Sequence, residues 1–118
     1  MPTTLLIVDD HPAFRAAARR LLEQDGYSVV GEAGDGTAAL AAVRELRPDV
    51  VLIDVQMPGL DGFEVAARLT AEDGPAVVMV SSRDGADFGR LVEQSGARGF
   101  IGKLDLSGPA LDALLNGS

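Results

Sequence analysis

The sequence predicts an α/β fold: a parallel five-stranded sheet in a three-layer sandwich, with helices on both faces. Three observations carry that prediction. Five short apolar runs, at residues 5–8, 28–30, 50–53, 76–80 and 99–101, recur along the 118 residues. After each run the apolar residues repeat every three or four positions, the period of a helix with one buried face. Runs 50–53 and 76–80 are apolar without alternation, as strands covered on both faces must be. Strands that alternate with helices pair in parallel, because a parallel neighbour is reached only through a crossover.

The elements follow in order. The first strand, from Leu5 to Val8, precedes a helix with Phe14, Ala17, Ala18, Leu21 and Leu22 on one face and Arg15, Arg19 and Arg20 elsewhere. The second run is more polar and suits a sheet edge; its helix carries Ala39, Leu40, Val43 and Leu46. Phe63, Ala66, Ala67 and Leu69 mark the third helix, and Phe88, Leu91 and Val92 the fourth. Gly85 and Gly89 fall in or beside the fourth, and each interior glycine costs about 1 kcal/mol, so this helix should be short. The fifth holds Leu111, Leu114 and Leu115, with Ser107 or Gly108 as its N-cap and Pro109 in its first turn. Glycines 26, 34, 36, 59, 74 and 96 punctuate the turns. Residues 116–118 read as a frayed end.

Length and composition narrow the classes. A chain of 118 residues makes one domain, residues 1–118, and 47% hydrophobic with 24% charged residues is an ordinary globular balance. The absence of cysteine excludes disulfides and thiolate metal sites, and agrees with a cytoplasmic setting. A formal charge of −8 argues against nucleic acid bound by this domain itself, since phosphate contacts need Lys and Arg. No membrane span is legible, and the first seven residues lack the basic start of a signal peptide.

In open α/β sheets the ligand sits beyond the carboxyl ends of the strands. There the sequence puts Asp9 and Asp10, Asp54, Ser81 and Ser82, and Lys103, the only lysine in the chain. Three carboxylates crowded on one edge repel unless a cation offsets them, and hard oxygen ligands suit Mg²⁺. The competing role for a lone Asp after a strand is a turn former or helix cap. Asp10, just before His11-Pro12 and the first helix, is the clearest case for capping. Two such positions together, each after a buried strand, favour a site.

These residues carry a resemblance. Residues 5–12 with Phe14-Arg15, then residues 49–54 followed by Gln56-Met57-Pro58-Gly59 and Asp61-Gly62, resemble the opening and the phosphoacceptor strand of two-component response-regulator receivers. Val78-Met79-Val80-Ser81 and residues 96–103 resemble that family's last two strands. The opening Asp9-Asp10-His11-Pro12 is similar to the subgroup that often carries a LuxR-type helix-turn-helix output domain. The resemblance implies a flavodoxin-like (βα)5 fold with strand order 2-1-3-4-5.

It also implies roles. Asp54 would accept a phosphoryl group from a sensor histidine kinase. Mg²⁺ (or Mn²⁺) would be held by Asp10, Asp54 and the backbone carbonyl of Gln56, with Asp9 assisting. Lys103 would pair with the phosphoryl oxygens, Ser81 would be the switch hydroxyl, and Phe100 the switch aromatic. Phosphorylation would control an output domain or partner, with homodimerisation through the face of the fourth helix, fifth strand and fifth helix. The chain would be a signalling switch, with intrinsic Mg²⁺-dependent autophosphorylation and autodephosphorylation at Asp54, rather than an enzyme with a separate substrate.

Several residues depart from the family's commonest pattern or read more plainly. Leu104 follows Lys103 where many relatives have proline, which leaves the geometry of that turn open. Gln56 and Arg83 stand where they would tune the phosphoryl lifetime. Phe100 is as well explained by core packing, and Ser82 by a turn. His11, the only histidine, reads as a turn or surface residue; Met57 and Met79 read as loop and core. Two other classes use the same residues: a phosphohydrolase with an aspartate nucleophile, and an interaction module indifferent to phosphorylation. Against the first, Gln56 stands where haloacid-dehalogenase-type phosphatases carry their acid. Against the second stands the intact set Asp9, Asp10, Asp54, Ser81 and Lys103.

Overall fold

The computed structural model describes residues 2–57, 59, 61–71, 74–82 and 89–116. Five strands, β1 (Thr4–Val8), β2 (Ser28–Ala33), β3 (Val50–Asp54), β4 (Ala76–Ser81) and β5 (Gly99–Gly102), alternate with five helices. The helices are α1 (Pro12–Gln24), α2 (Gly36–Leu46), α3 (Gly62–Thr70), α4 (Gly89–Gln94) and α5 (Gly108–Leu115). All strand pairs are parallel, in the order β2-β1-β3-β4-β5. This is the flavodoxin-like order.

The pleat of the central strands builds two cores. Leu6, Val8, Val51, Ile53, Val77 and Met79 point to one face, where Ala39, Val65, Ala66, Leu69 and Val92 of α2, α3 and α4 meet them. Leu5, Ile7, Val50, Leu52, Val78 and Val80 point to the other, against Ala18, Leu22 and Leu111 of α1 and α5. Alternate residues of one strand thus serve opposite layers, which is why these runs show no polar positions.

β2 is an edge strand, as its polarity indicated, but it runs to Ala33 instead of Val30. Gly31 and Glu32 are poor strand formers and hid this extension. Pairing with β1 supplies the stability that propensity lacks, and a register shift falls between Leu5 and Leu6. Glu32 is occupied there by ion pairs to Arg15 and Arg19 at 3.1 and 2.8 Å.

The caps settle some alternatives. Ser107 is the N-cap of α5, its side chain accepting from the Ala110 amide at 3.1 Å, and Gly108 is the first helical residue. Asp35 and Asp61 cap α2 and α3 in the same way. Asp10 does not cap α1; His11 holds that place and makes no side-chain cap. The described part of α4 is six residues long, and Gly89 is its first residue. Gly85, Phe88 and Arg83 lie outside the described residues, as do Pro58 and residues 117–118.

Candidate functional site

The sheet brings the acidic residues together through its pleat. Asp9, Asp54 and Lys103 each stand two positions after a residue of the second core, Ile7, Leu52 and Ile101. Alternation carries all three toward the layer of α1 and α5. β1, β3 and β5 are not all neighbours, yet their ends converge here because β1 pairs with β3, and β4 alone separates β3 from β5.

Asp9 is fully buried, and Asp54 is 4% exposed. Lys103 Nζ lies 2.7 Å from Asp9 Oδ2 and 3.4 Å from Asp54 Oδ2. The other Asp9 oxygen accepts from the His11 amide at 2.8 Å, with His11 Nδ1 at 2.9 Å. Asp54 Oδ1 accepts from the backbone N–H of Gln56 at 3.1 Å. Burial pushes the Asp54 carboxyl above its ordinary range, and the charge of Asp9 adds to this. The Gln56 amide and Lys103 act in the opposite direction without cancelling it. Burial alone would lower the Lys103 amine; the Asp9 and Asp54 carboxylates outweigh it, so Lys103 is raised and stays charged.

The donor set fits a hard divalent cation. One ligand atom from each of Asp9, Asp10, His11 and Asp54 can be chosen so that all lie within 4.8 Å of one another. Asp10 Oδ1 is shielded from solvent and accepts no hydrogen bond, although His11 Nδ1 stands 3.2 Å away. A shielded carboxylate oxygen without a hydrogen bond is costly by itself and is relieved by a cation.

Ser81 is the last residue of β4, 1% exposed and paired in register with Gly102, one residue before Lys103. Phe100 pairs with Met79 and is half-buried against the core of the α2–α4 side. Asp9, Asp10, Asp54 and Lys103 are therefore one cluster, Ser81 stands at the same sheet edge, and Phe100 lies two strand positions below it. The Lys103–Leu104 peptide is trans. Lys103–Asp105 forms a single 3₁₀ turn, and Leu104 points wholly into solvent. The turn thus forms without proline.

Sequence reasoning missed how the first turn of α1 roofs the site. Phe14 was legible as a core-face residue and as part of a motif but not as a partner of the lysine, yet its ring centroid is 4.4 Å from Lys103 Nζ. Arg15 Nη1 donates to the Asp9 carbonyl at 2.6 Å while its Nε holds Glu32, so it clamps the acidic loop to β2. The Phe14-Arg15 pair was visible as a motif, but its targets lie on other strands. His11 is mostly exposed, as a turn residue should be, but its ring is turned onto Asp9 and Asp10.

Gly62 fixes the far side. A Cβ there would collide with the Asp54 carbonyl oxygen and come within 2.9 Å of the Val55 Cα. Only glycine lets the start of α3 close on the end of β3.

Residues 5–108 match the family model of the response regulator receiver domain. The chain belongs to that family. This receiver domain is 41% identical over 104 residues to the virulence-factor transcription regulator BvgA of Bordetella pertussis, covering 87% of this chain and 50% of that protein. It is 41% identical over 117 residues to the positive alginate biosynthesis regulatory protein of Pseudomonas aeruginosa, covering 97% of this chain and 46% of that protein. Among solved structures it resembles the signal receiver domain of NarL from Mycobacterium tuberculosis, with a TM-score of 0.86, 36% identity, and coverage of 99% and 98% of the two chains. The receiver domain spans about half the length of these curated relatives. Among its described residues no helix is long and apolar enough to cross a membrane.

Proposed function

We propose that this receiver accepts a phosphoryl group on Asp54 from a sensor histidine kinase and relays the event as a change of conformation. The observation that carries the reading is the Asp54 carboxylate: buried, raised in pKa, and set between a lysine and two further carboxylates. Asp10, Asp54 and the Gln56 carbonyl would hold Mg²⁺ or Mn²⁺, with Asp9 assisting. The bound cation would neutralise the crowded carboxylates and the phosphoryl oxygens.

The Asp54 oxygen attacks phosphorus as the bond to the kinase histidine nitrogen breaks, and that nitrogen leaves with the bonding pair. The Gln56 amide orients the carboxylate through Oδ1, leaving Oδ2 on the Lys103 side. Lys103 supplies fixed positive charge to the incoming oxygens. Ser81 would then turn its hydroxyl to a phosphoryl oxygen, and Phe100 would move inward behind it. The same residues would support phosphoryl transfer from small donors and slow hydrolysis by water.

Leu91 is exposed on α4, which supports a homodimer through the α4–β5–α5 face. The relatives are transcription regulators of about twice this length, which supports an output domain acting in transcription, in the cytoplasm. We read residues 1–118 as the receiver domain of such a protein.

Acetyl phosphate with Mg²⁺ should add one phosphoryl mass to the wild-type chain and none to Asp54→Asn. Labelling that survives in Asp54→Asn would remove Asp54 from the role. Beryllofluoride should shift resonances of Ser81 and Phe100; silence at both would reject the switch while leaving the acceptor in place.

A further inference from the structure

We infer that Phe14 is a positioning residue for Lys103, holding its ammonium at the mouth of the site so that the amine can turn to the phosphoryl oxygens; this rests on the reading of Asp54 as phosphoacceptor. The ring of Phe14 and the carboxylates of Asp9 and Asp54 approach one ammonium, at 4.4 Å to the centroid and 2.7 and 3.4 Å to the oxygens. The ammonium has three donors; it donates one hydrogen bond to Asp54 Oδ2 and forms a close ion pair with Asp9 Oδ2. An aromatic face attracts the cation without demanding a direction, so it restrains Nζ and leaves it free to rotate. The ring is itself held. Phe14 packs against the core under α1 and α5, and its neighbour Arg15 is anchored on the Asp9 carbonyl and Glu32.

This arrangement bears on the transfer. Without the ring, the amine would settle into a closer pair with the two carboxylates, and the Asp54 oxygen that attacks would be occupied by the ammonium. With it, Nζ is nearer Asp9 than Asp54, and Asp54 Oδ2 is held less tightly. In the reaction with acetyl phosphate the Asp54 oxygen–phosphorus bond forms as the acetyl oxygen–phosphorus bond breaks. Acetate leaves with the bonding pair, and Lys103 neither gains nor loses a proton.

The test uses the 118-residue chain with acetyl phosphate and Mg²⁺, comparing wild type, Phe14→Leu and Phe14→Tyr. Lys103 is the only lysine, so its side-chain NMR signals assign themselves. In wild type the Lys103 methylene next to Nζ should be shifted upfield by the ring current. The shift should vanish in Phe14→Leu and persist in Phe14→Tyr. The maximal rate of phosphorylation should fall about three- to tenfold in Phe14→Leu, the size of a partly desolvated cation–ring contact, and recover in Phe14→Tyr. The donor concentration for half-maximal rate should not move.

Wild-type rates in Phe14→Leu would overturn the inference and leave Asp54's role standing. No incorporation into wild type would overturn both. If Phe14→Leu does not fold, the wild-type spectrum decides: an unshifted Lys103 methylene overturns the contact, and an upfield one supports it.

Discussion

Lys103 Nζ stands 2.7 Å from Asp9 Oδ2, in a pair that water scarcely reaches, with side-chain exposures of 14% and 0%. The pair ties the end of β5 to the end of β1 across the sheet. Lys103→Ala leaves Asp9 and Asp54 facing each other without a cation. With a chelator present, it should lower the unfolding free energy by about 3–5 kcal/mol, the cost of orphaning a buried charge. Urea denaturation with and without Mg²⁺ checks this; the deficit should shrink when Mg²⁺ is added.

Asp54 predicts a pH dependence. Its folded pKa is raised above the ordinary 3.8, so in the window just above pH 3.8 the folded state holds a proton that the unfolded state has lost. Stability contributed by this group therefore falls as pH rises through that window, and the ionised carboxylate is a net cost at neutral pH. Asp54→Asn removes that cost while Lys103 keeps Asp9 as its partner. The variant should gain about 0.5–2 kcal/mol near pH 7, the usual size of a single stabilising substitution. The gain should narrow toward pH 4. Thermal melts across pH 4–7 read it; an equal shift at every pH would contradict the assignment.

Tyr27 gives the alkaline counterpart. Its hydroxyl donates to Asp112 Oδ1 and joins the start of β2 to α5, while Gly108, at the start of α5, donates its amide to Asp25 Oδ2 at 2.7 Å. Burial raises the phenol well above its ordinary value, and the Asp112 hydrogen bond and charge raise it further. Above pH 10 the unfolded phenol ionises first, so stability falls as pH rises. Lys103, raised above 10.5, acts with the same sign. Tyr27→Phe should cost about 1 kcal/mol at pH 7 and less as pH rises above 10. Denaturation midpoints at pH 7 and pH 10.5 make the comparison.

Gly62→Ala forces a methyl group against the backbone of Asp54 and Val55, which cannot move without disturbing β3. The expected loss is about 1–3 kcal/mol, the range for overpacking a filled site. Phosphorylation should fall with it, because the displaced atoms carry the acceptor. Unfolding curves and phosphoryl mass measured on the same sample test both. Gly89→Ala, at an open helical position, is the control and should lower neither.

The sequence by itself determined the layers. Unbroken apolar runs such as Val50 to Ile53 needed cover on both faces, and intervening helical periodicity supplied it. The same runs ended in Asp9, Asp54 and Ser81, so the rule that ligands gather at strand ends located the site. Strand order came with the resemblance, not from the runs themselves.

Only the tertiary structure decided which side chains face each other. Parallel pairing, with the pleat, sent Asp9, Asp54 and Lys103 toward α1, and that made Phe14 a partner of the lysine and Arg15 a clamp on the acidic loop. No local pattern encodes such contacts, since they join residues as far apart as 14 and 103. The same holds for β2, where Gly31 and Glu32 became strand because β1 offered hydrogen bonds and Arg15 and Arg19 offered charge. Periodicity reports how one segment partitions between core and water; it does not report which distant segment completes it.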